Sequence, residues 1–246
     1  MVLFLLVTQT FNIIEGFTMQ NTGADEQKKT PFAVKDCAII TMATGTKVQN
    51  LKEFGAALKE VPLGSIYHHF WGRLLRPLFD EPEYNNDFAS WAFRGLHDKP
   101  LAEQLSMVIP TDYKDLESLR REMVEVVEQR LDESEYVPWS KADQQFYFLK
   151  SQIVIFDTRI RFEQPVELLP QINSLSTGSI YYHFIDARNR TDERVDDFSS
   201  WLEGFGGQFK ELAQSLCAVD PYFSSLKEIR LIVSNIFHEF FEKEGK

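Results

Sequence analysis

The feature that most constrains this chain is that much of it occurs twice. The run GSIYHHF at 64–70 matches GSIYYHF at 178–184 in six of seven positions, an offset of 114. At the same offset Phe32 meets Phe146, Ile39 meets Ile153, Thr44 meets Thr158 and Glu53 meets Glu167. DFASW at 87–91 matches DFSSW at 197–201 in four of five positions at an offset of 110, so the second copy is four residues shorter between the motifs. Leu116 with Leu226 and Arg120 with Arg230 continue that offset. Identity arises by chance at about one position in twenty, so ten matches in twelve across the two motifs read as a tandem duplication. The implied organisation is an N-terminal extension over 1–31 expected to be poorly ordered, module one over 32–131, a linker over 132–145, and module two over 146–246.

Both copies show the same local pattern. CAIITM and QIVIF are short β-branched runs that suit buried strands. Each is followed by turn-like residues, ATGT and DTR, and a second extended piece, which predicts a β-hairpin in each half. The two hairpins could pair into one four-stranded sheet, because a lone hairpin is marginal in water. LKEFGAALKEV then reads as a helix, whereas its counterpart VELLPQINSL carries Pro170 and should be shorter or kinked. GSIY opens a further helix with Ser65 or Ser179 as expected N-cap, and DFxSW opens another capped by Asn86 or Asp196. A long amphipathic helix ends each copy, and Ser225 with Glu228 reads as a capping box. The fold class is therefore α+β and predominantly α-helical, a repeated hairpin-plus-helices module with pseudo-twofold symmetry.

Composition narrows function by exclusion. With 37 acidic and 26 basic residues the formal charge is −11, which argues against nucleic acid and anionic membranes as partners. The two cysteines, Cys37 and Cys217, show no paired spacing, so cysteine-held zinc is excluded and a reduced cytoplasmic setting is expected. The apolar opening MVLFLLVTQTFNIIEGF is too short to span a bilayer and lacks a basic flank. Residues 1–18 are accordingly read as lying upstream of the physiological start, expected at Met19.

Polar and aromatic residues kept in both copies are the natural site candidates. Tyr67 and Tyr181, with Trp91 and Trp201, could stack on a flat ligand or simply pack. His69 with Asp87, and His183 with Asp197, read as two His–Asp contacts between helix starts. Such a pair can serve as a general base or oriented metal ligand, but repetition in both halves is what a folding requirement produces. Arg120 and Arg230 are expected to pair with an acid in their own half. Copy one alone carries His68, where copy two has Tyr182, and a longer polar stretch with Trp71, Arg73, Arg76, Asp80, Glu81 and Glu83. Adjacent histidines on a helix point about 100° apart, so His68 and His69 are not expected to share a metal, and no metal site is assigned. HExxH, P-loop, GxGxxG and nucleophile-elbow patterns are absent.

Several of these motifs together resemble an uncharacterised bacterial family known as a domain of unknown function. They are TGTK at 44–47, SIYxHF at 65–70, NDFAxW at 86–91, DESExVPW at 132–139 and GSIYYHFIDAR at 178–188. The resemblance spans roughly residues 32–241 and implies no activity, cofactor or catalytic residue. The expected function is a cytoplasmic binding or regulatory protein with a groove between its halves, taking a small molecule or a protein. The alternative is a metal-assisted hydrolase using the repeated His/Asp pairs. A single functional site is expected where the copies differ, in the first half or between the halves.

Overall fold

The computed structural model describes residues 30–75, 83–133, 140–191 and 193–244. Strand β1 (Phe32–Val48) opens the chain and is followed by α1 (Leu51–Glu60), α2 (Leu63–Trp71), α3 (Asp87–Arg94), α4 (Lys99–Ser106) and α5 (Leu116–Asp132). Strand β2 (Phe146–Phe162) returns alongside β1 and is followed by two short 3-10 turns, Pro165–Leu168 and Ile172–Ser174. Then come α6 (Thr177–Ile180), a π-helical stretch (Tyr181–Asp186), α7 (Ala187–Arg190), α8 (Asp197–Glu203), α9 (Lys210–Cys217) and α10 (Leu226–Glu244).

The sheet corrects the hairpin expectation. Among the described residues each half contributes one 17-residue strand, and β1 pairs antiparallel with β2 in a two-stranded sheet. Ile39 lies directly opposite Ile153, the same two positions that match in sequence. ATGT and DTR are bulges rather than reverse turns. Residues 44–46 on β1 stand opposite Phe148 alone, and residues 158–160 on β2 stand opposite Val34 alone. Gly45 at φ 85° and Arg159 at φ 65° take the left-handed backbone these bulges need. In each bulge a threonine hydroxyl crosses to the other strand: Thr44 donates to the Phe148 carbonyl at 2.7 Å, and Thr158 to the Val34 carbonyl at 2.6 Å. Turn chemistry in the sequence therefore marks a place where the strand bends and continues.

Helices α1 to α5 pack on one another, as do α6 with α10 and α8 with α9. One apolar core runs through both groups. Phe54, Phe88, Phe148 and Phe198 have no more than 1% of their surface exposed, and each such ring contributes about 1.5–3 kcal/mol. Ile39 and Ile153 pack against this core, while Ile40, Ile155 and Phe156 leave about half their surface in solvent. Asn86 and Asp196 cap α3 and α8 as expected, each accepting an N–H from three residues on. The Ser225–Glu228 box is formed, and Pro170 lies between the two short 3-10 turns that replace the counterpart of α1. The serine caps differ: Pro62 precedes α2, and Ser176 caps α6, so Ser65 and Ser179 sit inside the first turns. Among the described residues no helix is long and apolar enough to cross a membrane. The expectations for residues 1–29, Arg76, Asp80, Glu81 and linker residues 134–139 lie outside the described residues.

The two GSIY glycines make an internal comparison. A Cβ on Gly178 would stand 2.1 Å from Asp36 Oδ1 and 2.4 Å from the Cys37 carbonyl oxygen, whereas one on Gly64 would meet nothing within 4 Å. Gly178→Ala should therefore destabilise the protein by about 2–3 kcal/mol, since a strand backbone must shift. Gly64→Ala should be neutral or stabilising by up to about 1 kcal/mol through helix propensity. Urea unfolding of the two variants provides the measurement.

Candidate functional site

The two histidines of the repeated motif are buried, and both nitrogens of each ring are occupied. His69 Nδ1 lies 2.9 Å from Asp87 Oδ2, and His69 Nε2 accepts the backbone N–H of Leu149 at 3.0 Å. His183 Nδ1 lies 2.7 Å from Asp197 Oδ2, and its Nε2 accepts the N–H of Lys35 at 2.8 Å. The helix motif of each half thus bonds the strand of the other half. A backbone N–H can only donate, so Nε2 must carry the lone pair and Nδ1 the proton, which it gives to the aspartate. Phe146 and Phe32 complete the packing, with ring centroids 4.7 Å from His69 and 4.8 Å from His183.

This tautomer bears on metal binding. His68, His69 and Asp87 bring potential ligand atoms within 4.8 Å of one another. A metal at His69 Nδ1 would displace the proton to Nε2, which would then point at the Leu149 N–H. His68 Nδ1 is already 2.6 Å from Ser151 Oγ in a fully buried position. The donor set does not fit a metal without breaking a strand hydrogen bond.

Between the histidines lies a second buried polar group. Tyr181 donates its hydroxyl to Tyr67 Oη at 2.8 Å, and Tyr67 donates to Asp186 Oδ1 at 3.3 Å. Arg190 holds Asp186 Oδ2 at 2.8 Å, Asp197 Oδ2 at 3.0 Å and the Tyr182 carbonyl at 3.0 Å, with its guanidinium 4.0 Å over the Tyr182 ring. Burial raises the Asp186 carboxyl above its usual range, opposed by Arg190. Burial likewise raises both tyrosines. Beside them Cys37 donates its thiol to the Gly178 carbonyl at 3.3 Å. Burial, reinforced by Asp186 and Asp36, pushes that thiol up to about 12.

The remaining paired residues are tied to backbone. Trp91 Nε1 donates to the Gln144 carbonyl at 2.8 Å, and Trp201 Nε1 to the Thr30 carbonyl at 3.1 Å. Arg120 clamps the Lys59 and Val61 carbonyls at 2.8 and 2.7 Å, with Glu117 3.4 Å away, and Arg230 holds the Leu175 carbonyl at 2.8 Å. Arg73 donates to the Tyr84 carbonyl, and burial lowers its pKa. Trp71 is buried with its ring 5.4 Å from that of Tyr222.

One face of Trp71 opens on a cleft of about 160 Å³ between the halves. Tyr113 and Leu119 line it from the first half, and Arg188, Asn189 and Arg194 from the second. Trp71 and Ile185, which match at the offset of 114, both border it. The site expected in the first half or between the halves did not name Arg188, Asn189 or Arg194. The available signal was that Arg188 and Asn189 stand where the first copy has Leu74 and Leu75.

The chain belongs to a family of unknown function, DUF5752, whose model matches residues 29–238. A similar solved structure is that of OrfY from Thermoproteus tenax, 26% identical with a TM-score of 0.75, covering 87% of this chain and 97% of that one. No curated protein matches the chain.

Two measurements check this geometry. His69→Ala and His183→Ala should each cost about 2–4 kcal/mol in urea unfolding, because each empties a buried ring position and leaves a strand N–H without its acceptor. In the folded protein at pH 8 a thiol reagent should titrate exposed Cys217 and spare buried Cys37, with both reacting after unfolding. Above the ordinary thiol value of 9.0 the unfolded chain loses the Cys37 proton while the folded chain keeps it to about 12. Stability should fall as pH rises through that window.

Proposed function

We propose that this protein is a duplicated, non-catalytic binding or regulatory module that takes a small ligand in the cleft between its halves. The observation that carries the reading is a contrast in spare capacity. The His–Asp pairs have both ring nitrogens and a carboxylate oxygen engaged within the fold, while the cleft gathers Trp71, Tyr113, Arg188, Asn189 and Arg194 around open space. The duplication is supported by contacts that recur at the sequence offset: His69–Leu149 with His183–Lys35, and Thr44–Phe148 with Thr158–Val34. A hydrolase at His69 and Asp87 would need the lone pair on Nε2, because Asp87 orients Nδ1–H, and that lone pair already accepts the Leu149 N–H. The cytoplasmic setting is supported by two unpaired cysteines, and the charge of −11 supports a partner other than nucleic acid.

A ligand that binds only the folded state must raise its melting temperature. A thermal-shift series of sugars, nucleosides, phosphate esters and carboxylic acids should contain a compound that stabilises the wild type. Asn189→Trp, which fills the cleft from an exposed position, should abolish that shift and leave the unliganded melting temperature unchanged. An equal shift in the variant, or none from any compound, contradicts the reading.

A further inference from the structure

We infer that the cleft selects small ligands carrying an anionic group, a phosphate or a carboxylate, held between Arg188 and Arg194; this rests on the binding reading above. In a chain with 37 acidic residues against 26 basic ones, this wall carries two guanidinium groups. Among the described residues neither donates a hydrogen bond to a carboxylate. Arg188 is positioned by carbonyls, donating Nη1 to Val219 at 2.9 Å and Nη2 to Leu216 at 3.2 Å. Its closest ion pair, with Asp196, is 3.9 Å long, and its buried Nε has no hydrogen-bond partner. Burial lowers the Arg188 pKa, opposed by Asp196 and Asp220.

Arg194 reaches the same cleft from the loop before α8. Its backbone is in the left-handed region at φ 56°, rare for a residue with a Cβ. Its guanidinium crosses between the halves to donate to the Tyr113 carbonyl. Among the described residues it makes no ion pair with a carboxylate. Carbonyl oxygens fix the direction of both arginines but supply no net charge, so an incoming anion would meet positioned cationic donors.

The lining includes one carboxylate, Asp115. Its Oδ1 already accepts the N–H and the hydroxyl of Ser118 at the N-cap of α5, at 2.6 and 2.7 Å. Those bonds, with Lys114 and Arg121 nearby, hold it below the usual carboxylate range. Asp115 is thus engaged in capping and faces cations of its own. Arg188 and Asn189 stand where the first half has Leu74 and Leu75, so the Arg188 part of the wall has no polar counterpart in the first half. Trp71 and Tyr113 supply an apolar wall beside it. At about 160 Å³ the cleft is below the roughly 300–1,000 Å³ of drug-sized pockets, so the anion's body is small.

The test is titration calorimetry with thermal shift at constant ionic strength, using inorganic phosphate, glycerol 3-phosphate and malonate, with glycerol and sodium chloride as controls. At least one anion should bind the wild type. Its affinity should fall at least tenfold in Arg194→Ala, fall less in Arg194→Lys, and stay unchanged in Lys210→Ala, an exposed site outside the cleft lining. Whether phosphate or malonate binds distinguishes the two sources of negative charge. An anion bound equally by Arg194→Ala overturns the inference. Binding of a neutral compound that Asn189→Trp blocks, with no anion binding, overturns it while leaving the binding reading intact. No binding by any compound overturns both.

Discussion

Two backbone N–H groups, those of Lys35 and Leu149, are each accepted by a buried histidine from the opposite half. Much else in the molecule follows from that exchange. A two-stranded sheet 17 residues long has little stability of its own. Here each strand is held at the bulged end of its pairing by a ring that is itself fixed to an aspartate in the first turn of α3 or α8. Breaking either bond would leave a buried donor unpaired at about 1–3 kcal/mol. Neither half can keep its own histidine satisfied without the strand of the other, so the two helical groups are expected to fold as one cooperative unit.

The same bonds decide where chemistry is available. A histidine locked as the Nδ1–H tautomer is a good strut and a poor ligand, because its one lone pair is already in use. Tyr67, Tyr181, Asp186 and Arg190 are similarly consumed in joining the halves. What remains free is displaced to the cleft beside Trp71, where carbonyl-held arginines face open space. The polar groups that join the halves are thus separate from those that line the cleft.

Much of this was legible in the sequence, for identifiable reasons. Helix caps at Asn86 and Asp196, the Ser225–Glu228 box and the His–Asp contacts depend on short-range spacing, which a sequence states directly. The hairpins were misread because a left-handed residue after a threonine, Gly45 or Arg159, serves a bulge as well as a turn. Only the partner strand decides which, and β2 lies about a hundred residues further on. The serine caps shifted because Pro62 and Ser176 begin the helices earlier. Arg188 and Arg194 gave no periodic signal, since they come together only in the cleft between the halves. The mismatch of Leu74 with Arg188 was the visible trace of it.

The central claim, that both motif histidines are neutral acceptors of a strand N–H from the other half, is open to direct measurement. Long-range nitrogen–proton correlation spectra of the folded protein with isotope-labelled histidine report the protonation of each ring nitrogen, with His69→Gln and His183→Gln giving the assignments. The account predicts that both rings show a protonated Nδ1 and an unprotonated Nε2 at pH 7, with a coupling from Nε2 to the Leu149 or Lys35 amide. An Nε2–H tautomer or a doubly protonated ring at either position would contradict it.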